Sequence, residues 1–232
     1  MSRDLAEIKA LLDDLPPADQ QRVFRHLRQK HQIHTLETVF GASAEVILEA
    51  IHRAPELTRR MLRGVIADAA FAEDVVPSLA ATGWRAIPLE GNFSYDHKVE
   101  DARGAITIQV KLQRSEKGRP VVTSGTKYGL AKDYYMVECQ RTRSGTTGEK
   151  TATRPYTFGE FDVLAVSLQP STGAWNRFHY TVAEWLIPGD GRQIATYQPV
   201  AMSPNAERTD DFNTVANWLR SGNKTTISGK RA

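Results

Sequence analysis

The chain has 232 residues, 41% hydrophobic and 25% charged, enough to bury a real core as one large domain or two small ones. No apolar run approaches a membrane span, and the single cysteine, Cys139, excludes an intramolecular disulfide or an all-cysteine zinc site. The net charge of +3 is unevenly placed: Lys98 to Arg154 holds 12 Lys+Arg against 6 Asp+Glu, a local excess of +6 that leaves the remainder at −3.

The first eighty residues read as helical. Leu5, Ile8, Leu11 and Leu12 follow helical spacing, with Asp4 and Glu7 placed as a cap pair. Pro16-Pro17 ends that helix, and Asp19 opens a second with Val23, Phe24 and Leu27 on its apolar face. Ser43 caps a third, burying Val46, Ile47 and Ile51. Pro55 starts a fourth, carrying Leu57, Met61, Leu62, Val65 and Ile66. We take 1–83 as a helical subdomain serving dimerisation or DNA contact, the latter through Arg59, Arg60 and Arg63.

From Trp84 the pattern turns to period two. Strands are expected at Trp84–Leu89, Phe93–Val99, Ala105–Gln113, Tyr134–Thr142 and Phe161–Leu168, with turns at Gly104, Gly118, Gly145 and Gly148. A short helix closes at Leu130-Ala131-Lys132. Phe178–Ile187 fits a strand or a helix, and Asp211–Leu219 a helix burying Phe212, Val215, Ala216 and Leu219. The core therefore spans 84–220, and the polar tail 221–232 is expected to be flexible. The fold class is mixed α/β (α+β).

One constellation carries chemistry. Gln109 and Lys111, two apart on a strand, project to one face, and the preceding strand brings Asp96 alongside. A carboxylate, an amide oxygen, the Val110 main-chain carbonyl and an ammonium are the parts that Mg²⁺-assisted phosphodiester hydrolysis needs, and Mn²⁺ can replace Mg²⁺ there. The alternative is an ordinary sheet pair with a polar face. Glu138, Glu160 and Asp162 are further candidate acids, or partners for nearby arginines; Glu73 or Asp74 offers an upstream acid. Arg114, Lys117, Arg119, Lys127, Arg141, Arg143 and Arg154 form a basic surface suited to phosphates, or a solvated loop region. His26, His31 and His34 lack partners at zinc spacing, and His97 should face away from Asp96.

The order acid, glycine-bearing turn, apolar strand, Gln-x-Lys resembles the PD-(D/E)XK nuclease superfamily over roughly 84–168. Residue by residue, Asp96 matches the first acid, Gln109 the second position, where an acid is more usual, and Lys111 the lysine. The resemblance implies a restriction-endonuclease-like core, a central mixed sheet flanked by helices, preceded by the helical subdomain. With no nucleotide-binding motor motif, it implies a type II restriction endonuclease. Such an enzyme acts on double-stranded DNA as a cytoplasmic homodimer. Arg208-Thr209 is similar to a pair in BisI-type nucleases, which require 5-methylcytosine; the alternative is a surface turn before the helix at Asp211. The same resemblance allows a repair or junction nuclease, or a non-catalytic DNA-binding protein.

Overall fold

The computed structural model describes residues 3–130, 132–141 and 155–227. It divides into two compact units, 1–59 and 60–232.

The first unit is helical. It holds α1 (Arg3–Asp13), α2 (Pro17–Lys30), α3 (Leu36–Phe40) and α4 (Ala44–Arg53). Pro17 sits in the first turn of α2, where its missing N–H costs nothing. The Ser43 hydroxyl accepts from the Val46 N–H at 3.4 Å and caps α4. Glu37 ties the α3–α4 corner by accepting from the N–H groups of Ile33 and Ala44, each at 2.7 Å. Leu11, Phe40, Val46 and Leu48 stay exposed.

The second unit begins within α5 (Glu56–Ala70). A π-helical turn (Phe71–Val75) and α6 (Val76–Ala80) follow. Ala67, Phe71, Val75 and Leu79 are buried in the same core as the strands, so the helical residues after Arg59 belong to the sheet's unit. The sequence boundary near Gly83 marks a change of period, whereas the packing boundary lies at Arg59.

The main sheet has the order β1-β2-β3-β8-β9, from Arg85–Ala86, His97–Asp101, Gly104–Leu112, Val163–Ser167 and Phe178–Val182. β3 and β8 are parallel and the other pairs antiparallel, so the sheet is mixed, with helices packed against it. Between these strands lie β4 (Ser115–Glu116), β5 (Arg119–Pro120), β6 (Val122–Thr123) and β7 (Tyr134–Glu138). α7 (Gln169–Thr172) precedes β9, and β10 (Tyr197–Val200) and α8 (Phe212–Ser221) complete the unit. A second, antiparallel sheet has the order β10-β7-β6.

Strand alternation gives the main sheet two different faces. Ile106, Ile108, Val110, Val163, Ala165, Phe178 and Tyr180 form one; each Ile, Val or Phe among them contributes ~1.5–3 kcal/mol relative to exposure. Helices cover it: Phe71 meets Phe178 edge-on at 5.2 Å, and Tyr180 meets Phe212 of α8 at 5.6 Å. The other face carries Gln109, Lys111, Val166, His179 and Thr181. Its interior polar groups find partners: Thr181 donates to the Glu207 carbonyl at 2.7 Å, and His179 Nδ1 lies 3.0 Å from the Ala201 carbonyl.

The strand expected at 84–89 has ladder pairs at Arg85–Ala86 and a last hydrogen bond from the Ile87 N–H to the Lys98 carbonyl at 2.8 Å; Pro88, next in chain, has no N–H to offer. The undecided segment 178–187 is a strand to Val182 and then a single 3₁₀ turn. The short helix expected to close at 130–132 is a 3₁₀ turn at Gly125–Tyr128, and Ala131 lies outside the described residues. From the end of α8 residues 221–224 are exposed, and the chain returns to the core at Ile227, which is 2% exposed and whose N–H donates to the Trp185 carbonyl at 3.0 Å. The tail expected to be flexible from 221 thus has one apolar anchor, Ile227; 228–232 lie outside the described residues.

Candidate active site

The site forms where β2 gives out beside β3. The last ladder pair is His97↔Ile108, and the Asp96 N–H still donates to the Ile108 carbonyl at 2.9 Å. One step further the backbone of β2 has turned away, and the Asp96 side chain takes its place: Oδ2 accepts from the Val110 N–H at 2.8 Å. Gln109 Nε2 donates to the same Oδ2 and, at 3.2 Å, to the Val110 carbonyl. The Val110 carbonyl escapes the strand ladder because its would-be partner strand has ended. Asp96, Gln109 and Val110 therefore meet in one place, through a hairpin turned by Ala102-Arg103 with Gly104 at φ +120°.

A single NH₂ group bridging two oxygens marks the position a cation would take. The side-chain amide carries oxygen and nitrogen on equivalent arms, so a half-turn presents Oε1 there instead. Among the described residues Asp96 Oδ1 accepts no hydrogen bond, and no cluster of three His, Cys, Asp or Glu exists. One or two carboxylates with carbonyl oxygens suit Mg²⁺, which keeps several waters, and do not suit zinc. The donor set fits Mg²⁺ or Mn²⁺.

Lys111 is on the Gln109 side of the sheet, half-buried, and its Nζ donates to the Tyr156 hydroxyl at 3.2 Å. Burial pushes the Lys111 ammonium below its ordinary range, opposed by the carboxylates of Asp96 and Asp68. Burial likewise raises the Asp96 carboxyl; the Val110 N–H and Lys111 pull it down, and Asp68 pushes it up.

Asp68 is the acid that sequence reasoning missed. It lies on α5, accepts or shares a hydrogen bond with His97 Nε2 at 2.7 Å, and its field reaches both Asp96 and Lys111. One signal pointed to it: Gly64, Ala67, Asp68, Phe71 and Val75 share a helical stripe, and a carboxylate inside an apolar stripe needs a reason. Glu73 and Asp74, the upstream acids weighed from sequence, are exposed on the π-helical turn. His97 points to the opposite face from Gln109, as alternation requires, and stacks on Phe71 at 4.9 Å. Asp96 and His97 also wall a cleft of about 330 Å³ with Ala72, Ile87, Leu89 and Val99.

The three further acids stay outside this group. Glu160 pairs with Arg141 and accepts from the Thr157 N–H at 2.7 Å. Asp162 accepts from both the N–H and the hydroxyl of Thr107, at 2.8 and 2.7 Å, and pins β8 to β3. Glu138 sits on the second sheet and accepts from Gln140.

The basic residues divide. Lys117, Arg119 and Lys127 are exposed, with Lys117 at φ 49° in the β4–β5 turn. Arg114 pairs with Glu116 at 2.9 Å and lies over the Tyr197 ring. Arg141 is committed to Glu160 and to the Pro155 carbonyl at 2.8 Å. Arg143 and Arg154 lie outside the described residues. Arg208 and Thr209 are not a surface turn: they are 1% and 6% exposed, Thr209 bridges Tyr180, and Arg208 Nη2 donates to the Pro199 carbonyl at 2.8 Å.

No protein-family model matches the chain, and no curated protein matches it. Among solved structures, that of a bacterial homing endonuclease is similar to this chain at a TM-score of 0.38 and 22% identity. The alignment covers 70% of this chain and 94% of that one.

Proposed function

We propose that the chain is a metal-dependent endonuclease that hydrolyses phosphodiester bonds in double-stranded DNA. The observation that carries the proposal is the convergence of Asp96, Gln109 and the Val110 carbonyl at the open end of β2, with Lys111 on the Gln109 face. Asp96, the Val110 carbonyl and, with its amide turned, Gln109 would hold Mg²⁺ or Mn²⁺. When bound, the ion neutralises charge on the phosphate and lowers the pKa of a coordinated water. Lys111 supplies a fixed cation where charge builds on the transferring phosphoryl group, and can hold or take a proton from the attacking water. Asp68 contributes a second carboxylate to the local field and orients the His97 ring. The exposed Lys117, Arg119 and Lys127 supply phosphate contacts.

Within that reading the chain acts as a type II restriction enzyme on a short duplex site. One active site per chain cuts one strand, so two copies are needed for a double-strand break. The N-terminal helices, with Leu11, Phe40, Val46 and Leu48 exposed, are suited to joining them. The residue-level case for a 5-methylcytosine requirement was Arg208-Thr209, and their burial removes it.

The test is cleavage of supercoiled plasmid with Mg²⁺, on methylated and unmethylated DNA. Wild type should nick and linearise it. Asp96→Ala and Lys111→Ala should lose cleavage at least 100-fold, on the order of one essential charge-stabilising group, while still shifting DNA in a gel. Normal cutting by both variants would refute the site. Cutting set by DNA shape instead of sequence would identify a repair-type nuclease.

A further inference from the structure

Lysine carries its charge on four flexible bonds, and an ammonium placed for chemistry needs something to fix it. Among the described residues no carboxylate pairs directly with Lys111; the hydrogen-bond acceptor for its Nζ is the Tyr156 hydroxyl at 3.2 Å, with the ring centroid 5.1 Å away. Tyr156 is itself held from every side. Its backbone carbonyl accepts from the Ile194 N–H at 2.7 Å. Phe161 packs edge-on against its ring at 5.3 Å. The Arg141 guanidinium lies over the ring at 4.7 Å and is tied to Glu160 and the Pro155 carbonyl. Glu160 in turn accepts from the Thr157 N–H at 2.7 Å, next in chain to Tyr156.

We propose that Tyr156 is the positioning residue for Lys111, and that the Arg141–Glu160 pair is the brace that holds Tyr156 against it. A cation on the ring, an anion on that cation and a backbone N–H on that anion form a chain of contacts from the 157–160 turn to Nζ. Burial raises the Tyr156 hydroxyl far above its ordinary range, so it stays neutral. It accepts from the ammonium and keeps its own O–H for a water or a phosphate oxygen. A neutral acceptor orients the lysine without pairing off its charge, which leaves that charge for the phosphate. Outer partners of this type typically matter 10–100-fold.

The inference rests on the nuclease reading for its meaning, and two readouts separate them. Tyr156→Phe keeps the ring, the packing and the cation–ring contacts and removes only the hydroxyl. With saturating DNA and Mg²⁺, its single-turnover cleavage should fall about 10-fold, with DNA affinity and melting temperature unchanged. Glu160→Gln, which loosens Arg141 without touching Tyr156, should show a smaller fall of the same kind. Independently of activity, reductive methylation of the whole protein read by mass spectrometry should modify Lys111 several-fold faster in Tyr156→Phe than in wild type, with other lysines unaffected. Should wild type prove inactive on DNA, the nuclease reading fails and the methylation rates still decide the contact. Wild-type labelling of Lys111 in the phenylalanine variant, or a loss explained by weaker DNA binding, overturns the proposal.

Discussion

Replacing Gln109 by glutamate tests the idea that an amide N–H stands where a cation belongs. Gln109 Nε2 donates to Asp96 Oδ2 and to the Val110 carbonyl. Gln109→Glu removes that donor and sets two carboxylates roughly 3 Å apart; at an effective dielectric of about 20 their repulsion is ~5 kcal/mol. That figure is a ceiling, because one carboxyl takes up a proton instead. A net loss of about 2–4 kcal/mol follows, or roughly 5–15 °C in melting temperature for a domain of this size. The added carboxylate tightens the variant's metal site, and Mg²⁺ at a hundred times the variant's Kd, below the wild type's Kd, returns about 2.7 kcal/mol to the variant alone. Thermal unfolding of wild type and variant, with and without Mg²⁺, reads this directly: the variant should melt much lower alone and recover most of the gap with metal. Its half-saturating Mg²⁺ concentration for cleavage should also be lower than wild type. A variant that melts like wild type without metal, or whose deficit is the same with and without Mg²⁺, would show that these oxygens do not share a cation site.

Two other outcomes follow from the packing of the second unit. Asp101 receives Arg220 at 2.6 and 2.9 Å, which holds its carboxyl down to about 2 from the usual 3.8. A depressed carboxyl stabilises the fold above its unfolded value and loses that contribution as pH falls through its folded one. Wild-type melting temperature should therefore drop between about pH 4 and pH 2, and Asp101→Asn should flatten that limb; parallel curves would contradict the pairing. Among the described residues the Arg208 guanidinium makes one hydrogen bond and leaves two buried, unpartnered groups, Nε and Nη1, and burial brings it down to about 9. Arg208→Met, similar in volume and uncharged, should be neutral or stabilising by about 1–4 kcal/mol in urea unfolding, with unchanged affinity for duplex DNA. A specific loss of DNA binding would place Arg208 at the interface instead.

Much of the site was legible because it depends on short-range rules. Alternation alone puts Gln109 with Lys111 and His97 opposite, and the Gly104 hairpin brings Asp96 level with Gln109. The strands expected at 105–113 and 161–168 appear at Gly104–Leu112 and Val163–Ser167, and the helix expected at 211–219 is capped by Asp211 and buries Phe212, Val215 and Ala216. Long-range contacts were not legible. Asp68 joins the site through His97, twenty-nine positions away in the chain. Tyr156 reaches Lys111 across forty-five. Tyr197–Val200 was hidden by Pro199, which an edge strand tolerates; β10 is the edge of its sheet. Arg208 was read as surface because charge ordinarily is, yet the second sheet and the 205–209 turn close over it.

The most direct measurement is a crystal soaked in Mn²⁺ and examined by anomalous diffraction. The account predicts a peak about 2.1 Å from an Asp96 oxygen and the Val110 carbonyl, with the Gln109 amide turned so that Oε1 faces the ion. No peak beside Asp96 at saturating Mn²⁺, with the Gln109 N–H still bridging the two oxygens, would contradict it.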